Sequence, residues 1–191
     1  MSTWISKAVL FPLLLSGCVA PTVTGGAGAV QTEQPRGITV SGVKLAGPKG
    51  FCALPNTRRS MGGAEFVAFA PCDGSAAAIL AATVGAKGSA DGIILTRTAL
   101  APYFQTDEGK AALRGAGSND PIAVQDIGDY KGAVILRLTR GGNASWRALM
   151  KVQGRLVTLT LRPRQGQVVD PTEGRRQITR FVDALRSGNG L

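Results

Sequence analysis

From residue 133 to residue 162 apolar residues recur at every second position. Val134, Leu136 and Leu138 come first, then Trp146, Ala148 and Met150, then Val157, Leu159 and Leu161. A period of two marks strands whose alternate side chains point to opposite faces. The pattern predicts strands at Ala133–Arg140, Ser145–Val152 and Arg155–Arg162, with Gln153-Gly154 as the tight turn between the last two. Ile122–Ile127 reads as a strand before them. Further upstream, strand signals occur at Ile38–Leu45, Phe51–Leu54, Glu65–Pro71 and Ala78–Gly85, with a turn-rich stretch through Pro55, Arg58, Arg59 and Gly62-Gly63. Ala76–Ala82 also has helical propensity; we read strand for its second half.

The period changes in two places. Thr98–Gly115 is helical in character, with Thr98 placed to cap Ala99–Gln105. Thr106 then opens a second start, with Asp107 and Glu108 in the first turn and Gly115 as the stop. Near the C-terminus, Asp170-Pro171-Thr172-Glu173 sets a cap, a first-turn proline and a capping-box acid in order. Ile178, Phe181, Val182 and Leu185 follow on one helical face, and Gly188 reads as its end. These elements predict an α+β fold, an antiparallel β-sheet packed against a C-terminal helix and a mid-chain helical segment. Residues 38–188 read as a single globular domain, long enough for one core and without internal repeats.

The element order carries a resemblance. It runs from Gly50-Phe51-Cys52-Ala53-Leu54-Pro55 through strands and a mid-chain helix to hairpins ending in Gln153-Gly154-Arg155-Leu156-Val157-Thr158-Leu159-Thr160, and then a last helix. Over roughly residues 48–187 this is similar to the PsbP-like fold of the oxygen-evolving-complex extrinsic proteins and their bacterial relatives. The resemblance implies an α-β-α sandwich and a non-enzymatic interaction or assembly module. It carries over no functional residue, and the cysteine pair and the basic charge depart from it.

Before the domain the pattern is different again. Lys7 precedes an apolar stretch from Ala8 to Gly17, the size of a signal-peptide core and too short to span a bilayer as a helix. The stretch ends in Leu15-Ser16-Gly17-Cys18, which resembles the lipobox of bacterial lipoproteins. That resemblance implies removal of residues 1–17 and acylation of Cys18, hence anchorage to a membrane through the N-terminus. Val19, where many inner-membrane lipoproteins carry aspartate, points to the inner leaflet of the outer membrane, facing the periplasm. The alternatives are an ordinary buried N-terminal element or a signal cut elsewhere. Residues 18–37, rich in Gly, Pro and Thr, read as a flexible tether.

The remaining cysteines fit that compartment. Acylation of Cys18 leaves Cys52 and Cys72, an even pair that an oxidising periplasm favours joining. They lie at the ends of strand-like runs that neighbouring strands would bring close. The other reading is two buried thiols that never pair.

Charge is unevenly spread. Lys and Arg total 22 against 12 Asp and Glu. Residues 18–130 balance at nine of each sign, whereas residues 131–191 hold twelve basic side chains against Asp170, Glu173 and Asp183. With Val134, Trp146 and Val157 and their alternates packed inward, Arg137, Arg147, Lys151 and Arg162 are predicted to share a solvent face with Thr158 and Thr160. Guanidinium forks beside hydroxyls suit phosphate or carboxylate. In the envelope, such groups belong to an anionic polymer, a lipid head group or an acidic protein. The plainer reading is an ordinary solvated sheet face. Nucleic acid is not expected outside the cytosol, and aromatics make up only 5% of the chain, leaving few platforms for bases to stack on.

The chain contains no histidine, which removes Ser-His and Cys-His nucleophile pairs and two-histidine metal sites. Asp107-Glu108 and Asp126/Asp129 read as a helix first turn and a polar turn. No metal or cofactor is expected, and the chain reads as a non-catalytic binding, adaptor or assembly protein. A carboxylate-dependent envelope hydrolase or transferase, and a purely structural lipoprotein, are the alternatives.

Overall fold

The computed structural model describes residues 36–75, 77–114 and 118–191. The proposed leader, Cys18, Ala76 and the helix stop at Gly115 lie outside the described residues. A hairpin of β1 (Gly37–Val40) and β2 (Val43–Ala46) precedes β3 (Phe51–Met61), β4 (Ala64–Pro71) and β5 (Ala78–Val84). Two short helices follow, α1 (Arg97–Tyr103) and α2 (Asp107–Arg114). The chain then runs through β6 (Ile122–Tyr130), β7 (Ala133–Arg140), β8 (Asn143–Val152) and β9 (Arg155–Pro163) to α3 (Pro171–Asn189).

Seven strands form one antiparallel sheet in the order β3-β4-β5-β9-β8-β7-β6. It consists of two meanders that meet where β9 pairs with β5, Leu80 opposite Leu161 and Ala82 opposite Leu159. The fold is α+β, with helices on both faces of the sheet.

Strand alternation supplies two apolar faces, and they are covered unequally. On one, Phe69, Leu80, Ala148 and Leu159 pack with Ile178, Phe181, Val182 and Leu185 of α3, joined by Val40, Val43 and Leu45 of the small hairpin. Phe69 meets Phe181 edge-on, ring centroids 5.2 Å apart, an arrangement aromatic pairs favour. A Cβ at Gly174 would overlap the Trp146 indole, so glycine occupies the place where α3 comes nearest β8. On the other face, Phe104 and Leu113, beside the two short helices and within α2, pack on Ile122, Leu136 and Leu138 of β6 and β7. The part of that face made by β5, β9 and the adjoining side of β8 lies open as a groove.

Several boundaries depart from the sequence expectation. Ile38–Leu45 is not one strand: Ser41 (φ 49°) and Gly42 (φ 84°) are both left-handed, the signature of a two-residue hairpin turn. Of the turn-rich stretch only Gly62-Gly63 is a turn, between β3 and β4; Pro55 to Met61 continues β3, with a register break between Leu54 and Arg59. As an edge strand, β3 tolerates proline. Thr57 Oγ1 fills the broken ladder, donating to the Leu54 carbonyl at 2.6 Å and accepting from Ala68 N at 2.9 Å. The cap of α1 is Thr96 rather than Thr98, its hydroxyl accepting from Ala99 N at 3.3 Å. Thr106 caps α2 as expected, accepting from Gly109 N.

At α3, Asp170 Oδ1 accepts from Thr172 N and Glu173 N, at 2.9 and 3.0 Å. Glu173 does not close the capping box; its carboxylate holds Gln177 and Arg176 instead. The helix runs past Gly188 to a left-handed Gly190. Asn189 explains the extension, because its side-chain amide pairs with both the N–H and the carbonyl of Lys44, docking the helix end on β2.

Cys52, near the start of β3, is bridged to Cys72, just past β4, with Cα atoms 5.1 Å apart. The cysteine pair is joined, as the count and compartment argument favoured.

Candidate functional site

The open part of the second face becomes a site because three adjacent strands send alternate residues onto it. Strand β5 contributes Ile79, Ala81 and Thr83, β9 contributes Thr158, Thr160 and Arg162, and β8 contributes Arg147. Register sets their neighbours: Ile79 lies opposite Arg162, Ala81 opposite Thr160, and Thr160 opposite Arg147. Phe66 on β4 and the segment Pro163-Arg164-Gln165 form the walls of an open groove of about 740 Å³. The groove continues into a second concavity that shares Arg147, Arg162 and Arg164 and adds Arg140, Ser145 and Asp120. Its two ends differ in character. Arginines crowd one, where Ile79 lies beside Arg162, and Phe66 stands at the other beside Thr83; Phe66 and Ile79, 37% and 38% exposed, leave apolar surface in contact with water.

The groove arginines stand close together without forming an ion pair, although Asp120 lines the second concavity with them. Among the described residues, ion pairs form at Arg58–Glu65 (2.9 Å), Lys131–Asp183 (2.9 Å), Arg175–Asp126 (3.1 Å) and Arg176–Glu173, all away from the groove. None of Arg140, Arg147, Arg162 or Arg164 has a described carboxylate within 4.0 Å. Arg140 donates to the Leu113 carbonyl (3.3 Å) and to the Arg114 carbonyl, where the C-terminal end of α2 presents partial negative charge. Burial pulls the Arg147 guanidinium down to about 10, and repulsion from Arg162 and Arg140 adds to it. Arg162 is lowered by its own burial and then by Arg140. Cations kept partly out of water and beside one another favour an incoming anion.

The sequence placed four basic residues on one face. The register separates them. Arg147, Lys151 and Arg162 do share a face, but Lys151 is exposed and does not line the groove. Arg137 points to the opposite side, where it pairs across strands with Trp146 while Leu136 pairs with Arg147. The prediction assumed that Val134, Leu136 and Leu138 faced the same core as Trp146, Ala148 and Met150. In fact β7 is buried on both faces, and alternation alone does not say which face is which. Arg137 lines a crevice with Trp146, Arg175 and Arg176, where its Nε is buried without a hydrogen-bond partner among the described residues. The Asp126 carboxylate already pairs with Arg175 in that crevice.

Sequence reading did not single out Arg140, Arg164, Phe66 or Ile79 as site residues. The two arginines were visible only as part of the C-terminal charge excess, and the two apolar residues looked like core. Asp107 and Glu108 sit in the first turn of α2 as expected. Asp126 and Asp129 lie within β6 rather than in a turn, the former paired with Arg175 and the latter accepting from Arg97 N at 2.7 Å. Ser41 and Lys44 have the Ser-x-x-Lys spacing, but Ser41 is in the hairpin turn, Lys44 is in β2, and the Ser41 hydroxyl donates to Glu65 at 3.3 Å. Among the described residues, no three His, Cys, Asp or Glu side chains gather as a metal site.

No family model matches the chain, and no curated protein matches it. Among solved structures it is similar to the solution structure of cyanobacterial PsbP (CyanoP) from Synechocystis sp. PCC 6803. The two share 15% identity with a TM-score of 0.46, covering 86% of this chain and 96% of that one.

Proposed function

We propose that this domain is a non-catalytic binding module of the bacterial envelope. Acyl chains on Cys18 hold it at the membrane, and the groove over β5, β9 and β8 takes an anionic group at Arg147, Arg162 and Arg164. One observation carries the binding reading: three guanidinium groups converge on one concave surface, and none is within ion-pairing distance of a described carboxylate, Asp120 of the second concavity included. A merely solvated sheet face spaces its cations in water or pairs them loosely at the surface. Here the Arg147 charge is partly desolvated and opposed by Arg162 and Arg140, an arrangement that a bound phosphate or carboxylate relieves.

Titration of the purified full chain with inorganic phosphate, followed by NMR, tests the groove. Side-chain signals of Arg147 and Arg162 and backbone signals of Thr158 and Thr160 are expected to move together and saturate. Signals from α2 around Asp107 should stay still. Groove signals that stay fixed up to roughly 30 mM, a binding free energy of only about 2 kcal/mol, would remove the reading.

The anchor has its own test. Intact mass of the chain extracted from bacterial membranes should correspond to a start at Cys18 plus fatty acyl groups. A chain retaining Met1 and lacking acyl mass would remove the membrane tether from the proposal.

A further inference from the structure

We infer that the groove's ligand is a single-chain phosphate amphiphile, its phosphate among Arg147, Arg162 and Arg164 and its hydrocarbon chain along Ile79, Ala81 and Phe66. This rests on the anion-binding reading of the same groove and specifies the class of anion.

Charge selects the head group. A carboxylate brings one negative charge and two oxygens. A phosphate monoester brings −1.5 to −2 charges and three strong acceptor oxygens at neutral pH. Guanidinium forks match phosphate oxygens bidentately, and Arg147, Arg162 and Arg164 all line both parts of the concavity. Thr160, opposite Arg147 on the neighbouring strand, adds a hydroxyl donor at the same level. A single carboxylate leaves most of this positive charge unanswered.

The floor selects the tail. Moving along β5 away from Arg162, the groove presents Ile79, then Ala81, then Thr83, with Phe66 across from Thr83 on β4. The four residue steps from Ile79 to Thr83 give a track on the order of 13 Å long, lined by methyl groups and an aromatic ring. Free phosphate would use only one end of it. Ile79 and Phe66 have more than a third of their surface exposed, and a hydrocarbon chain laid over them removes that surface from water. The groove volume of about 740 Å³ is that of a site for a small molecule rather than for a folded partner.

Calorimetric titration of the full chain, held in a non-ionic amphipol, separates the possibilities with four soluble probes. These are octyl phosphate, inorganic phosphate, octanoate and octyl glucoside. Octyl phosphate is expected to bind at least about tenfold more tightly than inorganic phosphate, a factor that about two buried methylenes supply. It should also bind more tightly than octanoate, and octyl glucoside should not bind. Phe66→Ser, at the far end of the track from Arg162, should lower the ratio of octyl phosphate to inorganic phosphate affinity toward one, and Ile79→Ser should lower the same ratio. Arg162→Gln should weaken both phosphates. Equal affinities for octyl phosphate and inorganic phosphate overturn the amphiphile and leave the anion site standing. Octanoate matching octyl phosphate overturns the phosphate head group. Binding of neither phosphate overturns the inference and the anion-binding reading together.

Discussion

Replacing Arg147 by leucine is expected to weaken anion binding roughly ten- to hundredfold, the worth of one charge-assisted hydrogen-bonded contact, without weakening the fold. Arg147 sits on β8 between Leu136 on one neighbouring strand and Thr160 on the other, and its guanidinium has no described carboxylate within 4.0 Å. Burial and the nearby Arg162 and Arg140 lower its pKa to about 10. The sign follows from a base whose folded pKa is depressed. The unfolded chain holds the proton more readily, so the charged group opposes folding at pH 7. That opposition is relieved only as pH rises through about 10 toward the ordinary arginine range. Leucine removes the cost and extends the apolar floor. Thermal or urea unfolding should therefore show stability unchanged or higher by roughly 1–2 kcal/mol. Arg147→Lys should fall between, since it keeps the charge and loses the fork. A leucine variant that unfolds more easily than the parent would mean the guanidinium supports the fold, and its place as a ligand contact would lose its basis.

This opposition between stability and binding explains why the groove was only half legible in the sequence. Period-two alternation found the strands of the second meander, and the capping signals found α2 and α3, because those patterns are local. Which strand borders which is not local. The pairing of β9 with β5 brings Ile79 and Ala81 beside Arg162 and Thr160, from segments about 80 residues apart in the chain. The sequence distinguished no core isoleucine from one on an open floor. Arg137 was misplaced for the same kind of reason. The strand reading Ala133-Val134-Ile135-Leu136 is apolar on both sides, so its face is settled by the register with β8 and by what α1 and α2 cover. The open half of the sheet itself was unreadable, since it depends on two helices too short to reach across it.

Replacing Cys52 and Cys72 together by alanine is expected to lower the free energy of unfolding by about 3 kcal/mol, the loop-entropy value for a closed segment of this length. The bridge spans a sequence separation of 20 residues. A domain of this size is stable by about 5–15 kcal/mol in all, so the loss is a substantial share. It should appear as a fall in melting temperature of roughly 6–12 °C. The local structure says why the bridge stands there. Strand β3 is the outer edge of the sheet, contains Pro55, and breaks register between Leu54 and Arg59. Its ladder to β4 is thus weakest midway, and beyond Phe51 the backbone closes through a bond from Cys72 N to the Gly50 carbonyl. The cross-link holds that end of the edge strand when the ladder opens. Reductant should therefore reproduce the shift in the parent chain and do nothing to the double variant. The same measurement bears on where the protein works. An oxidising compartment favours forming and keeping such a bridge, so chain isolated from cells with both thiols free and a melting temperature indifferent to reductant would count against an envelope address as well as against the stabilising role of the pair.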